Sequence, residues 1–245
     1  MFDLKGRTVL ITGGARGLGR HITLAAAAAG AQVAFTYLNS VVAADALSLE
    51  LTKLSVKYEA LKCDVRSQNS VSLTVEKVLD TFGQIDVLIN NAGLFETAKF
   101  EEITEEQWDN IFAVNVRGPF LMSRACTPAL RRSNGRIINL GSLGGKKPWV
   151  THAHYCSSKA ALHMLTRVMA KALAPEIAVN CVAPGMIDQG EGMRDSGLLK
   201  RLAERAPMKR NGTPDDVVSV VMYLATGPHF ITGQVLTVDG GLGLV

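Results

Sequence analysis

The 245-residue chain has little of what builds a disulfide scaffold or a metal site. Its four cysteines, Cys63, Cys126, Cys156 and Cys181, form no Cys-x-x-Cys pair and show no metal-ligand spacing. They read as reduced thiols in or near a core, as in a cytoplasmic protein, with no bound metal. Basic residues outnumber acidic ones to a net charge of +4, yet the longest basic cluster is Lys146-Lys147. No stripe that would follow a nucleic-acid backbone is present, so no nucleic-acid partner is expected. The opening segment, Met1 to Arg7, lacks the basic stretch followed by an apolar one that a secretory signal needs. The alanine-rich stretch Leu24 to Ala31 falls far short of the roughly 20 apolar residues that cross a bilayer, and no membrane partner is expected. No Pro/Ser-rich linker or internal repeat divides the chain, and 47% hydrophobic with 20% charged residues lies well away from the composition of disordered proteins.

What the chain does have is a regular alternation of short apolar runs and longer helical patterns. Strands are predicted at Thr8 to Thr12, Gln32 to Tyr37, Tyr58 to Cys63, Val87 to Asn90, Arg136 to Leu140, Ala178 to Val182 and Gln234 to Val238. That alternation implies an α/β architecture: one doubly wound, Rossmann-type domain over residues 1–245, with a seven-stranded parallel sheet covered by helices on both faces. Met186 to Gly212 shows no strong pattern and follows a strand's C-terminal end, the side on which such sheets bind ligands. It is expected to form a substrate lid.

The stretch Thr12-Gly13-Gly14-Ala15-Arg16-Gly17-Leu18-Gly19 follows the first strand and opens the first helix. Glycines there let the backbone turn tightly and approach a pyrophosphate, whose charge faces the positive end of the helix dipole. The spacing is Gly-x-x-x-Gly-x-Gly rather than the GxGxxG fingerprint. NAD-preferring folds place an Asp or Glu at the end of the second strand for the ribose 2′-hydroxyl. Here that place reads Tyr37-Leu38-Asn39-Ser40, without a carboxylate, while Arg16 can pair with a 2′-phosphate. NADP is therefore expected over NAD.

Tyr155 and Lys159 lie four apart in a helical pattern, one turn from each other on the same face. A phenol ionises near pH 10 and is a poor acid-base group at neutrality; a nearby ammonium that lowered its pKa by about three units would supply roughly 4 kcal/mol. Ser142, just after the fifth strand, can point to the same place and donate a hydrogen bond to a carbonyl oxygen. His152, His154 and His163 crowd around Tyr155 without carboxylate or thiolate at ligand spacing and read as packing or loop residues. Trp149 is expected near the cleft, packing on substrate or anchoring the loop. Phe95 reads as core filling or as a substrate contact.

In combination these stretches resemble the short-chain dehydrogenase/reductase family over essentially the whole chain. The matching segments are Thr12 to Gly19, Cys63-Asp64-Val65, Asn90-Asn91-Ala92-Gly93, Asn115, Gly141-Ser142, Tyr155 to Lys159, Pro184-Gly185, and Ile231 to Gln234 with Asp239-Gly240-Gly241. The resemblance implies that Asp64 and Val65 border adenine and that Asn91, Ala92, Gly93, Pro184, Gly185 and Ile187 line the dinucleotide. It also implies that Lys159 holds the nicotinamide ribose, Asn115 keeps a water linking Lys159 to solvent, Tyr155 is the general acid and Ser142 clamps the carbonyl. Family members pair the helices expected from Thr104 and from Tyr155, which implies a homotetramer. Gln189 stands where the family often has a Thr facing the nicotinamide amide, and is expected at the substrate. Acyl-carrier-protein reductases often carry a basic residue where this chain reads Ala174-Pro175-Glu176-Ile177, which weakens acyl-carrier docking.

Two branches compete for the substrate. Ser142 suits a neutral carbonyl of the 3-oxoacyl type. Phe95, Tyr155-Cys156, Leu173 to Glu176 and Met208-Lys209-Arg210 resemble bacterial pteridine reductases, in which the aromatic stacks on the pterin but Asp usually replaces the serine. A dinucleotide sensor without chemistry is a further reading, and the intact Asn115, Ser142, Tyr155 and Lys159 set argues against it.

Overall fold

Each of the seven apolar runs becomes a strand: β1 (Thr8–Ile11), β2 (Gln32–Tyr37), β3 (Tyr58–Lys62), β4 (Val87–Asn90), β5 (Arg136–Leu140), β6 (Ala178–Pro184) and β7 (Val235–Val238). The computed structural model describes residues 2–190 and 196–245. All strands are parallel, in the order β3-β2-β1-β4-β5-β6-β7. Alternate β1 side chains serve opposite faces. Val9 and Ile11 join one core layer, beneath α1 (Gly17–Ala28), α2 (Val41–Lys53) and α8 (Pro214–Thr226). Leu10 joins the other, beneath α3 (Gln68–Phe82), α5 (Gly118–Ser133) and α6 (Ala153–Leu173). Burial on both faces is why these strands read as continuous apolar runs rather than as alternating ones.

The helix expected from Thr104 comes in pieces. Thr104 caps α4 (Glu105–Phe112) through a reciprocal box with Gln107. A π-helical turn over Ala113–Arg117 then leads into α5. Such turns have no periodicity signal of their own and often mark functional sites. The stretch Met186 to Gly212 is more ordered than its composition implies. It contains α7 (Ser196–Arg205), whose Leu202 packs with Ala206, Leu143 and Leu242. Glycine and charge mask that apolar face in the sequence. Glu191 to Asp195 of the expected lid lie outside the described residues. Among the described residues no helix is long and apolar enough to cross a membrane.

Strand order reverses between β1 and β4, so the loops leaving their C-terminal ends diverge and open a crevice. The functional residues gather there.

Candidate active site

The first wall of the crevice is the glycine turn. Thr12 Oγ1 accepts from the backbone N–H groups of Asn91 and Ala92, each at 3.0 Å, and the Asn91 amide donates to Thr12 O at 3.0 Å and Gly13 O at 2.9 Å. Two loops from separate strands are thus stitched together. Gly13 and Gly17 adopt left-handed backbone, with φ of 62° and 53°. A Cβ at Gly19 would collide with Gly13 O and the Asn91 amide. Helix α1 begins at Gly17 with no side-chain cap and no acidic residue in its first turn, leaving its N–H groups directed at the crevice. An anion fits that cradle, and Arg16 is exposed at the N-cap.

From there a cleft of about 680 Å³ runs along the sheet edge. Gly13, Arg16, Gly17, Leu18 and Gly19 form one side, and Tyr37, Asn39 and Ser40 lie at the exit of β2. Asp64 and Val65 follow β3, and Asn91, Ala92 and Gly93 follow β4. Arg66 and Asn110 complete the β3 end. The Arg66 guanidinium grips Asp64 at 2.8 and 2.9 Å and reaches Asn110 Oδ1 at 2.8 Å. Chiefly through that hydrogen bond Arg66 holds the Asp64 carboxyl below its usual range.

The Gln189 side-chain oxygen lies against the glycine turn, 2.9 Å from where a Cβ on Gly17 would stand, and lines the same cleft. The β6 exit that carries Pro184-Gly185 swings the chain that way. Pro184, Gly185 and Ile187 pack elsewhere: Pro184 and Gly185 pair with β7, and the Ile187 side chain is buried at the bridge to Gly212. Their side chains are outside the cleft lining.

At the other end the cleft meets the second cluster. A Cβ on Gly93 would lie 3.5 Å from Asn115 Oδ1 and 3.7 Å from Lys159 Nζ. Asn115, in the π-helical turn, is fully buried; it accepts from Leu94 N–H at 2.8 Å and donates toward Leu94 O at 2.9 Å and Ser158 Oγ at 3.0 Å. Ser158 in turn donates to Tyr155 O at 2.7 Å. Lys159 Nζ donates to Leu140 O at 2.8 Å and sits 5.8 Å from the centre of the Tyr155 ring. Burial pushes this ammonium down to about 8. Ser142 Oγ accepts from Gly144 N–H at 3.0 Å.

For Tyr155 the expected shift is reversed. Burial pushes its phenol up, and the opposing influence is a hydrogen bond from Ser142. Desolvation, the largest cause, outweighs the Ser142 contribution.

Phe95 is not core filling: it is 55% exposed because the loop after β4 leaves the sheet. Its ring meets Tyr155 edge-on at 4.8 Å and lies over His152 at 4.8 Å, with Trp149 at 6.4 Å. His152 is held by Thr97 and Thr151, each at 3.0 Å. Phe95, Trp149 and His152 thus form an aromatic rim beside the Tyr155 ring.

A crevice at the switch point of a doubly wound sheet, ending on a half-buried tyrosine and a buried lysine, belongs to an NAD(P)-dependent oxidoreductase that interconverts CH–OH and C=O. Comparison with known proteins sharpens this. A family profile described as enoyl-(acyl carrier protein) reductase matches residues 13–243. The 3-oxoacyl-[acyl-carrier-protein] reductase of Synechocystis sp. is 35% identical, with 99% of both chains covered. The enzyme of that name from Staphylococcus epidermidis is also 35% identical, over 96% of this chain and 98% of its own. A short-chain dehydrogenase/reductase from Serratia marcescens superposes with a TM-score of 0.93 at 35% identity, covering 98% of this chain and 99% of the other. A blue fluorescent protein from a metagenomic library, solved in complex with NADPH, gives 0.92 at 33% identity with the same coverage. The chain belongs to the short-chain dehydrogenase/reductase family and is similar to its 3-oxoacyl reductases.

Sequence reasoning missed Arg66, Asn110, Ser158 and the placement of His163. Arg66 was within reach as the basic residue two after Asp64. His163 continues the spacing of four that links Tyr155 to Lys159.

Proposed function

We propose that this protein is an NADPH-dependent reductase of ketones of the 3-oxoacyl type, with Tyr155 as general acid. The observation that carries the reading is the convergence of Ser142, Tyr155 and the buried Lys159 where the cleft ends: a Cβ on Gly144 would lie 3.4 Å from both Ser142 Oγ and the Tyr155 ring, and Lys159 Nζ stands 5.8 Å from the centre of that ring. Both hydroxyls can reach one carbonyl oxygen. Bound NADPH supplies the hydride. Ser142 donates a hydrogen bond as negative charge grows on the oxygen, and Tyr155 delivers the proton that completes the alcohol. Lys159 favours the phenolate left behind, and Asn115 fixes the helix turn from which both project. Within the cleft, the cradle before α1 would hold the pyrophosphate, and Arg16 with the uncharged Tyr37-Leu38-Asn39-Ser40 exit would favour a 2′-phosphate.

Tyr155→Phe removes the proton while keeping the ring, so turnover of an acetoacetyl thioester should fall by on the order of 10²-fold or more while NADPH affinity stays unchanged. Retention of more than a few per cent of the wild-type rate would exclude Tyr155 as the acid. Arg16→Ala should narrow the preference for NADPH over NADH in a binding titration.

The exposed Phe95 ring beside Tyr155 favours a second reading, a dihydropterin as the substrate. Offset stacking on a flat ring would add about 0.5–1.5 kcal/mol. Turnover of dihydrobiopterin that falls with Phe95→Ala, beside a silent thioester, would select that reading; thioester turnover indifferent to Phe95→Ala selects the first.

A further inference from the structure

His163 is buried beneath the loop that carries Ser142. Its ring fills the space between two glycines. A Cβ at Gly141 would collide with Nε2, and one at Gly145 would lie 2.5 Å from Cε1 and 2.8 Å from Nδ1. The Ser142 backbone N–H donates toward Nε2 at 3.5 Å, while Nδ1 and Cε1 lie against Gly145. One imidazole therefore spans the loop from its first residue to its last. Accepting from an N–H requires a lone pair on Nε2, which puts the proton on Nδ1, on the Gly145 side of the ring. Only the neutral ring can accept in this way.

The surroundings keep it neutral. Lys146 from the loop, with Lys159 and Arg167 from α6, are the cations that act on it, and Cys181 of β6 lies against the same face of Gly141. Burial, then those three cations, push the imidazole down to about 4.

We propose that His163 is the positioning residue for Ser142: by accepting from the Ser142 N–H and filling the space beneath Gly141 and Gly145, it holds the serine hydroxyl beside the Tyr155 ring. It acts through the loop and touches neither substrate nor dinucleotide. An apolar side chain of similar size fills the space but leaves the Ser142 N–H without its acceptor. The proposal rests on the reading of Ser142 as the carbonyl clamp.

The test is a double-mutant cycle between His163→Leu and Ser142→Ala, read as kcat and KM for an acetoacetyl thioester with NADPH. His163→Leu should lower kcat by on the order of tenfold or more, the effect of a misplaced reacting group, with NADPH affinity unchanged. In the Ser142→Ala background the same substitution should cost less than about threefold. His163→Gln, whose amide oxygen can stand in for Nε2, should recover most of the rate, whereas His163→Asn, which reaches only the Gly145 side, should not. The Gln and Asn pair also serves if the leucine variant does not fold. Equal losses from His163→Leu in both backgrounds, or equal rates for the Gln and Asn variants, would overturn the proposal. A displaced Ser142 amide resonance in His163→Leu separates the two layers of the argument. If Ser142→Ala leaves turnover intact while that resonance moves, the clamp reading fails and the tether stands; an unmoved resonance removes the tether.

Discussion

Lys159 carries its charge where water does not reach it, and the protein is less stable for it. Its ammonium has a pKa of about 8 in the folded chain against an ordinary 10.5. A basic group depressed in this way contributes fully above the unfolded value and loses that contribution as pH falls through 8. At neutral pH the buried charge therefore costs up to about 3 kcal/mol. Lys159→Met should abolish turnover and leave the apo-protein's thermal midpoint at pH 7 equal to or above that of wild type. The freed Leu140 carbonyl offsets part of the gain by about 1–3 kcal/mol. A marked fall in the midpoint would contradict this. His163 runs in the same sense at lower pH, from an ordinary 6.5 to about 4. Its unfolded form takes up a proton first as acid is added, so stability is present above 6.5 and drains away down to 4. Urea midpoints between those limits should fall more steeply for wild type than for His163→Leu.

At the scale of elements, the glycine turn is the place where one methyl group decides binding. In Gly19→Ala the new Cβ meets Gly13 O and the Asn91 amide, so the stitch between the two loops must open. Overpacking of this kind costs about 1–3 kcal/mol. NADPH affinity should fall by on the order of tenfold or more for the same energy, and the strands should persist by circular dichroism. Unchanged affinity would mean that the cradle tolerates the extra atom.

The elements also mark how far the sequence could be read. The central strands were legible because both sheet faces are buried there, which turns a period-two signal into plain apolar runs, whereas the edge strands β3 and β7 are only partly covered. The Tyr155 and Lys159 pair was legible because a helix places residues four apart on one face. Helix α7 was hidden by glycine and charge around Leu202, and the π-helical turn holding Asn115 has no repeat to detect. The sign of the Tyr155 shift depends on a balance between desolvation and Ser142, which only packing sets.

For the whole molecule, α5 and α6 leave Phe120, Met164 and Val168 exposed, and the last two stand four apart on one face of α6. Apolar groups so placed are a surface for another copy of the chain, and we propose the homotetramer that the family resemblance implies. Light scattering at micromolar concentration should give the mass of four chains, and Met164→Glu with Val168→Glu should lower it. A monomeric mass for wild type would refute the assembly.

The stitch between Thr12 and Asn91 joins residues 79 positions apart, because β1 lies between β2 and β4. Until β4 has left the ribosome, β1 has one open flank and the phosphate cradle has no second wall. Loop closure over that distance comes before any reward from dinucleotide binding. A fragment ending at Phe82 should therefore show no affinity for NADPH, even though it contains the entire glycine turn. Tyr155 and Lys159 emerge more than sixty residues after Asn91, so both walls of the glycine-turn cradle exist in the chain before the second cluster does.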